Sequence, residues 1–272
     1  MRFGEKLLTA VDRNRSLLCV GLDPEPGKLP SCVQGKDNPV LYFNQQIIDA
    51  TGDLVCAFKP NYAFYGALGE RGWATLEATL AHIPPSIPVI LDAKVSDIGN
   101  TAEQYARMFF DELGADALTV NPYMGADAVA PFLARPDKSV FLLCLTSNPG
   151  AEDFETQQLE DGPLYLRVAR RARQWNAARN CGLVVGATQT AAFAELRAVV
   201  PDMWFLVPGV GAQGGDLEAV VRQGRDAAGA GLVINASRAV LYASSGDDFA
   251  AAARRAAAHL RESIESCRAA AP

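Results

Sequence analysis

The hydrophobic residues of this chain fall into short, nearly continuous runs, and each run is followed by a segment with helical spacing. Runs that do not alternate with polar residues are typical of parallel strands, which are covered on both faces. The segments between the runs place apolar residues three and four positions apart, as an amphipathic helix does. We predict eight strands, at Leu17 to Leu22, Leu54 to Lys59, Pro88 to Lys94, Ala117 to Asn121, Ser139 to Thr146, Gly182 to Gly186, Trp204 to Pro208 and Gly231 to Ala236.

Eight strand-and-helix units in a chain of this length are typical of a closed (β/α)8 TIM barrel, an α/β fold. A doubly wound open sheet is the alternative that the same pattern allows. An extra helix is expected before the first strand, within Met1 to Arg15, and an Ala/Arg-rich helix at the other end, Ala250 to Pro272. No linker or change of composition divides the chain, so we predict one barrel domain over residues 1–272.

Charged and polar residues recur in or directly after the predicted strands. Right-handed crossovers place the C-terminal ends of all strands on one rim of a barrel, where the active sites of this fold lie. Each of these residues alone is readily explained as an ordinary loop residue, but seven on one rim indicate a functional site. They are Asp23, Lys59, Asp92, Lys94, Asn121, Ser147 and Arg238.

The segment Asp92 to Thr101 carries the clearest chemical signal, because it places charge at the end of an apolar strand. Side chains two residues apart share one face of an extended strand, so Asp92 and Lys94 are expected to point the same way. Buried charges must be paired or functional. Magnesium binding by Asp92 and Asp97 stays open at this stage, although Lys94 lies between them and would compete for the same carboxylates.

The segment Pro208 to Asp216 is rich in glycine and matches the pattern G-x-G-x-x-G. A dinucleotide site is one interpretation, but that motif belongs in an opening strand-helix-strand unit, with an acidic residue ending the next strand. Here the motif follows the seventh predicted strand, and Arg238 follows the eighth. Phosphate binding by these two loops is therefore favoured over a dinucleotide site and over a plain glycine-rich turn.

Composition limits the partners and the compartment. The formal net charge is -6, with Lys and Arg scattered along the chain, so no basic face for nucleic acid or for a membrane is expected. The N-terminus lacks the apolar block of a signal peptide, and no run is long enough to cross a bilayer. The six cysteines lack C-x-x-C spacing and are expected to be reduced, small core residues of a cytoplasmic protein. His82 and His259 fall on predicted helices and do not support a catalytic triad.

Taken together, these motifs resemble the orotidine 5′-phosphate decarboxylase family, and the resemblance runs nearly end to end. The length and the Asp-Ile-Gly form of the central motif are similar to the longer bacterial, type 2 subgroup. The resemblance rests on Gly21-Leu22-Asp23-Pro24, Phe58-Lys59-Pro60-Asn61, the D-x-K-x-x-D-I-x-x-T core from Asp92 to Thr101, Ser147-Asn148-Pro149-Gly150-Ala151, the Gln213 loop and Ser237-Arg238.

The resemblance implies decarboxylation of orotidine 5′-phosphate to UMP without a cofactor, in a homodimer with shared active sites. Lys94 would donate the proton to C6, with Asp92 and Asp97 completing the charged array. The remaining implied roles are ribose binding by Asp23 and Lys59, pyrimidine binding by Ser147, and phosphate binding by Gln213 and Arg238. The resemblance also implies that Asp97, Ile98 and Thr101 contribute to the active site of the partner subunit. One departure is that Gly99 stands where many members have proline.

Two rival functions fit part of the pattern. A Mg²⁺-dependent sugar-phosphate lyase of the same barrel type, such as a keto-gulonate phosphate decarboxylase or hexulose phosphate synthase, shares the D-x-K-x-x-D core, but the Gln213 loop favours the nucleotide enzyme. A non-catalytic phosphate-binding barrel would keep Arg238 and the glycine loop, yet it would have no use for an ammonium group between carboxylates.

Overall fold

The computed structural model describes residues 1–210 and 216–270. Its main sheet has eight strands, and every pairing between them is parallel. The strands are β1 Leu18–Leu22, β2 Ala57–Pro60, β3 Ile90–Val95, β4 Ala117–Val120, β5 Ser139–Leu145, β6 Cys181–Val185, β7 Phe205–Pro208 and β8 Leu232–Ala236.

The sheet runs in the order β2-β1-β8-β7-β6-β5-β4-β3, and its two outer strands meet. Phe58 forms a parallel bridge with Val89, and Asn61 forms another with Asp92, which closes the sheet into a barrel. The prediction of a (β/α)8 barrel is confirmed, and the open doubly wound sheet is excluded because that sheet leaves two free edges.

Helices follow the strands and cover the outside of the barrel. Short 3₁₀ turns occupy Pro26–Lys28 and Gly69–Arg71, and a π-helical segment, Arg107–Glu112, continues one of the helices. The helices are α1 Phe3–Asn14, α2 Ser31–Gln34, α3 Pro39–Thr51, α4 Tyr62–Gly66, α5 Gly72–His82, α6 Gly99–Ala106, α7 Ala126–Leu133, α8 Ala151–Phe154, α9 Leu164–Trp175, α10 Thr190–Val199, α11 Leu217–Gly224, α12 Arg238–Leu241 and α13 Phe249–Ala270.

The extra N-terminal helix, α1, closes the end of the barrel at which the strands begin. Its first residue, Phe3, is buried and packs edge-on against Phe141 of β5, with the ring centroids 5.9 Å apart. Lys6 pairs with Asp116, just before β4, at 2.7 Å. Burying an aromatic ring of this kind contributes about 1.5–3 kcal/mol. The opposite rim, where the strands end, is left for the site.

The predicted strand bounds differ from the observed ones by up to three residues. The largest difference is at β2, which begins at Ala57 although the apolar run starts at Leu54. The backbone N–H of Leu54 donates to Thr51 at the end of α3, so that residue still belongs to the turn. Hydrophobicity reports burial, whereas a strand begins only where its neighbour supplies hydrogen-bond partners.

The long connection after β5 is folded rather than extended. It contains α8 and a small antiparallel hairpin, in which Gln158 pairs with Pro163. The Glu155 carboxylate accepts hydrogen bonds from the backbone N–H and the hydroxyl of Thr146, which ties the connection to the end of β5.

The cysteines are free thiols in the structure. Burial raises the pKa of Cys19 and that of Cys181 to about 12, which keeps both thiols protonated and inert at neutral pH. Cys32 is exposed and Cys267 is half-buried, so the prediction of core positions does not extend to these two. Across residues 1–210 and 216–270, no helix has the length and apolar character needed to cross a bilayer.

Candidate active site

Asp92 is the centre of the rim, because both oxygens of its buried carboxylate accept charged hydrogen bonds. Oδ2 accepts from the Lys59 ammonium at 2.8 Å, and Oδ1 accepts from the Lys94 ammonium at 2.5 Å. The Asn61 side-chain amide, from the neighbouring end of β2, approaches Oδ2 at 3.4 Å. The strand ends of β2 and β3 thus bring two cations to one carboxylate, as the sequence pattern predicts for residues that end parallel strands.

The charges in this cluster stabilise one another against burial. Burial by itself favours the neutral form of Asp92, but the two ammonium groups outweigh it and hold the pKa of Asp92 well below its ordinary 3.8. Burial likewise works to lower the pKa of Lys59, and the attractions of Asp23 and Asp92 reverse the effect and raise it above 10.5. Asp92 and Lys59 therefore both stay charged at neutral pH.

Lys94 differs from Lys59 in that its side chain is 46% exposed, so its ammonium group faces the mouth of the barrel. Its backbone has φ 49°, the left-handed region, which costs a residue other than glycine about 1 kcal/mol or more. The register between β3 and β4 shifts between Leu91 and Val95, at the same place. The predicted contact with Asp92 is present, but a bulge rather than a regular extended strand produces it.

Thr119, in β4, holds this bulge in place. Its buried hydroxyl accepts from the backbone N–H groups of Ala93 and Lys94 at 3.0 and 2.9 Å. The same hydroxyl donates to Asp92 Oδ1 at 2.9 Å. Sequence reasoning missed Thr119, because a threonine inside an apolar strand is ordinary, and only the shifted register shows what it binds.

Asp23, after β1, sits on the rim beside the Lys59 cluster. The Ser237 hydroxyl, after β8, donates to Asp23 Oδ2 at 2.6 Å, whereas Oδ1 is buried and has no hydrogen-bond partner among the described residues. The close approach depends on Gly21, since a Cβ there would come within 2.8 Å of the Ser237 Cβ. An unpaired buried carboxylate oxygen is an acceptor for a ligand hydroxyl.

Ser147 and Arg238 also reach the rim, as predicted. Ser147 packs against Gly186 at the end of β6, where a Cβ would lie 2.6 Å from the Ser147 backbone nitrogen. Arg238 is exposed at the start of α12, and its guanidinium forms no ion pair with the described residues. The predicted phosphate residue Gln213 lies outside the described residues.

Three predicted site residues do not join the cluster within this chain. The Asp97 carboxylate accepts the backbone N–H of Ile98 at 2.8 Å, and in the described part of the molecule it forms no ion pair with Lys94 or any other cation. Ile98 is 55% exposed, and Thr101 is exposed in the first turn of α6. Ile98 and Thr101 are thus exposed to solvent, and Asp97 is half-buried.

Large apolar residues are exposed on the same side of the rim. Tyr123 and Met124 follow β4 and are 81% and 44% exposed, and Phe154 in α8 is 63% exposed. The rings of Tyr123 and Phe154 contact each other, with centroids 6.5 Å apart. Ile98 follows β3, the strand next to β4, so these exposed apolar residues belong to neighbouring loops of the rim, and exposed apolar patches are typical of protein interfaces.

The fold and the site together define a (β/α)8-barrel enzyme whose rim holds a buried carboxylate between two ammonium groups. Within the described residues, no cluster of three His, Cys, Asp or Glu side chains suited to holding a metal ion is found. The Asp92 carboxylate is instead fully engaged by lysine, amide and hydroxyl donors.

Comparisons with known proteins agree with this class. A family model described as Orotidine 5′-phosphate decarboxylase / HUMPS family matches residues 16–256. A curated protein of Azoarcus sp. (strain BH72), named orotidine 5′-phosphate decarboxylase, is 54% identical over 272 residues, covering 98% of this chain and 100% of that protein. The solved structure of Leishmania donovani OMP decarboxylase is 41% identical, covers 100% of both chains and superposes with a TM-score of 0.88. The chain belongs to the orotidine 5′-phosphate decarboxylase / HUMPS family.

Proposed function

We propose that this protein removes CO2 from orotidine 5′-phosphate to form UMP, the last step of de novo pyrimidine nucleotide synthesis. It is a carboxy-lyase of the decarboxylase branch, to which its relatives at 54% identity belong by name. The observation that carries the chemistry is the Lys59, Asp92 and Lys94 cluster, because the reaction needs a fixed cation beside a developing anion.

Lys94 is the residue that we assign to the chemical step. Loss of CO2 from C6 of the pyrimidine leaves an in-plane carbanion whose electron pair cannot spread into the ring, so a nearby ammonium group stabilises it and then donates the proton. The exposed Lys94 Nζ can meet a ligand, whereas the buried Lys59 Nζ cannot easily leave Asp92. This route uses no cofactor.

Asp92 has two roles in this proposal. It fixes the position of the Lys94 ammonium through the 2.5 Å contact, so no reorganisation is needed when charge develops. It also places a negative charge near the substrate carboxylate, and two such charges about 4 Å apart repel by roughly 4 kcal/mol at an effective dielectric constant near 20. That repulsion is relieved when CO2 departs.

The remaining rim residues bind the nucleotide. Asp23 has a buried oxygen that has no hydrogen-bond partner in the described part of the chain, which suits a ribose hydroxyl, and Lys59 lies beside it. Ser147 would meet the pyrimidine edge. Arg238, which forms no ion pair with the described residues, and Gln213 would bind the phosphate, since the loops after strands seven and eight are the usual phosphate site of this fold.

We further propose that two copies form a homodimer with shared sites. Among the described residues Asp97 forms no ion pair, and the exposed apolar residues Ile98, Tyr123, Met124 and Phe154 lie after β3 and the two strands next along the sheet. A second copy placed over this patch would bury the apolar residues and bring Asp97, Ile98 and Thr101 to the partner's Lys94 region. We also propose that residues 1–272 act as one barrel domain in the cytoplasm, where free thiols persist.

The direct test is to treat the purified protein with a chelator, add orotidine 5′-phosphate, and follow both the fall in absorbance and UMP formation. We expect full turnover without added metal. No turnover on the nucleotide, together with activity on a sugar phosphate that Mg²⁺ restores, would instead identify the lyase branch of the family.

A further inference from the structure

A second cavity lies at the opposite end of the barrel from the site, where the strands begin. Its volume is about 490 Å³, within the range of small-ligand pockets. The walls come from the start of α1, from the segments before β5, β6 and β7, and from the end of α9. No residue of the proposed catalytic site contributes to it.

Four residues with cationic side chains line this cavity, although the whole chain has a net charge of -6. They are Arg2, Lys138, Arg173 and Arg179, and the one carboxylate among the lining residues belongs to Asp202. Cations that share a small concave space repel one another, and the repulsion is relieved when an anion enters.

None of the four cations is paired with a carboxylate in the part of the chain that the structure describes. Lys138 donates to the Ala115 carbonyl and Arg173 to the Val199 carbonyl, which leaves most of their donors unused. Elsewhere on the surface, arginines such as Arg254 hold carboxylates at short distance. The donor groups around the cavity are thus available to an anionic ligand.

Trp204 adds a flat apolar surface to the same cavity. Its indole ring is half-buried, and its Nε1 lies near Gly4, where a Cβ would be 4.0 Å away. A nucleobase can stack on a ring of this kind, while cations bind the phosphates.

We propose that this cavity is a second anion site, separate from the catalytic rim, which binds the phosphate chain of a polyphosphate compound such as a nucleoside triphosphate. Arg173 and Arg179 hold the phosphates, and Lys138 and Arg2 complete the positive wall. The proposal does not depend on the reaction at the other rim.

The test is calorimetric titration of the full chain with tripolyphosphate and, separately, with ATP, both free of metal. Saturable binding is expected, with a change in the fluorescence of Trp204 that Trp204→Phe removes. Binding of both probes shows that the phosphate chain suffices, whereas binding of ATP alone shows that the nucleoside is also required.

Arg179→Gly is the informative variant, because Arg179 has φ 58°, a conformation that glycine adopts without strain. The Arg179→Gly protein should keep the melting temperature of the wild type and bind the probes about tenfold more weakly. The double variant, Arg173→Gln with Arg179→Gly, should bind them about a hundredfold more weakly. The matched control is Arg15→Gly, since Arg15 is also exposed, has φ 44° and does not line the cavity.

Three results would overturn the proposal. The first is that neither probe shows saturable binding to the wild-type protein. The second is an equal loss of affinity in Arg15→Gly and Arg179→Gly, which would mean that only net charge matters. The third is loss of binding in Arg238→Ala, because the probe would then occupy the proposed catalytic rim.

Discussion

At the residue scale, the properties of the site depend on which lysine binds each of the two carboxylate oxygens of Asp92. One oxygen holds a lysine that is buried, and the other holds a lysine that is exposed to the mouth. Lys59 and Asp92 form the buried ion pair, and we expect it to stabilise the fold, since removing one charge leaves the other buried with one partner fewer. The exposed lysine can meet substrate, so the two lysines are expected to respond differently to substitution.

Lys94→Ala should abolish turnover while UMP binding persists. The fixed cation beside the carbanion contributes about 3–4 kcal/mol or more to the transition state, which corresponds to roughly a hundredfold to a thousandfold or more in kcat. Steady-state kinetics and a UMP titration measure the two effects. If more than about a tenth of kcat survives, a loss below roughly 1.4 kcal/mol, Lys94 is not the central residue.

Arg238→Ala should weaken transition-state stabilisation for orotidine 5′-phosphate by several kcal/mol, measured from the fall in kcat/KM, because a charge-assisted contact to the phosphate is lost. A truncated orotidine that lacks the phosphate is the control substrate, and its kcat/KM should change little. An equal loss on both substrates would mean that Arg238 supports the barrel or the pyrimidine pocket instead.

Lys59→Met should destabilise the protein by about 3 kcal/mol or more at pH 7, since it leaves the Asp92 charge buried with one partner fewer. The folded-state pKa of Asp92 is depressed, so its stabilising contribution is present above 3.8 and is lost as the pH falls through the folded-state value. The difference between wild type and variant should therefore narrow in acid.

Urea denaturation at several pH values measures this difference. The exposed pair of Arg254 and Asp53 provides the control, because Arg254→Met should cost less than about 1 kcal/mol. A Lys59→Met variant as stable as the wild type at pH 7 would show that the pair contributes nothing net.

At the element scale, the end of β3 decides whether the site forms. Period-two spacing predicts that Asp92 and Lys94 share a face, and the two side chains do meet. The backbone conformation differs from the extended strand that was predicted, because Lys94 lies in the left-handed region at a register shift. A bulge of this kind re-aims one side chain, and here the neighbouring strand holds it.

Thr119→Val should lower kcat with little change in KM, because the variant keeps the shape of the side chain but removes the acceptor of two backbone N–H groups and one of the donors to Asp92. Each buried donor left unsatisfied costs about 1–3 kcal/mol, and part of that cost appears as a misplaced Lys94. Kinetics with a melting curve separates the two effects. Thr119→Ser, which keeps the hydroxyl, should restore kcat, and no rescue would mean that packing alone is involved.

At the scale of the whole molecule, barrel closure gathers residues that are far apart in the chain. Asp23 and Ser237 are an example, since the meeting of β1 and β8 brings their side chains to 2.6 Å. In the closed barrel, Asp97 forms no ion pair with any of the described residues, and Ile98 and Tyr123 are exposed. The unit that we expect to be active is therefore larger than one chain.

Mixing inactive Lys94→Ala and Asp97→Ala proteins should restore activity if the sites are shared. Each heterodimer would contain one site with both native residues, so an equal mixture with free exchange should reach about a quarter of wild-type activity. Activity of the mixture and subunit exchange are measured together. A mixture that stays inactive although exchange is complete would refute site sharing.

The sequence by itself determined the eight strand-and-helix units and therefore the fold class, because burial on both faces of parallel strands leaves continuous apolar runs. It also located the charged residues of the rim, since charge at the end of an apolar strand stands out against its surroundings. Asp92, Lys94 and Lys59 were predictable for that reason. The place of Arg238 on the rim was predictable because the residue follows the last strand, and its phosphate role stays a prediction.

Only the tertiary structure decided how these residues work together. Strand register involves partners that are distant in sequence, and three features of the site depend on it. They are the buried Asp23 oxygen that has no partner among the described residues, the bulge at Lys94 and the hydrogen bonds of the Thr119 hydroxyl. The cationic cavity at the other end of the barrel is formed in the same way, by α1 and the segments before three strands. A sequence pattern records which residues are buried along each element, whereas these sites arise from contacts between elements.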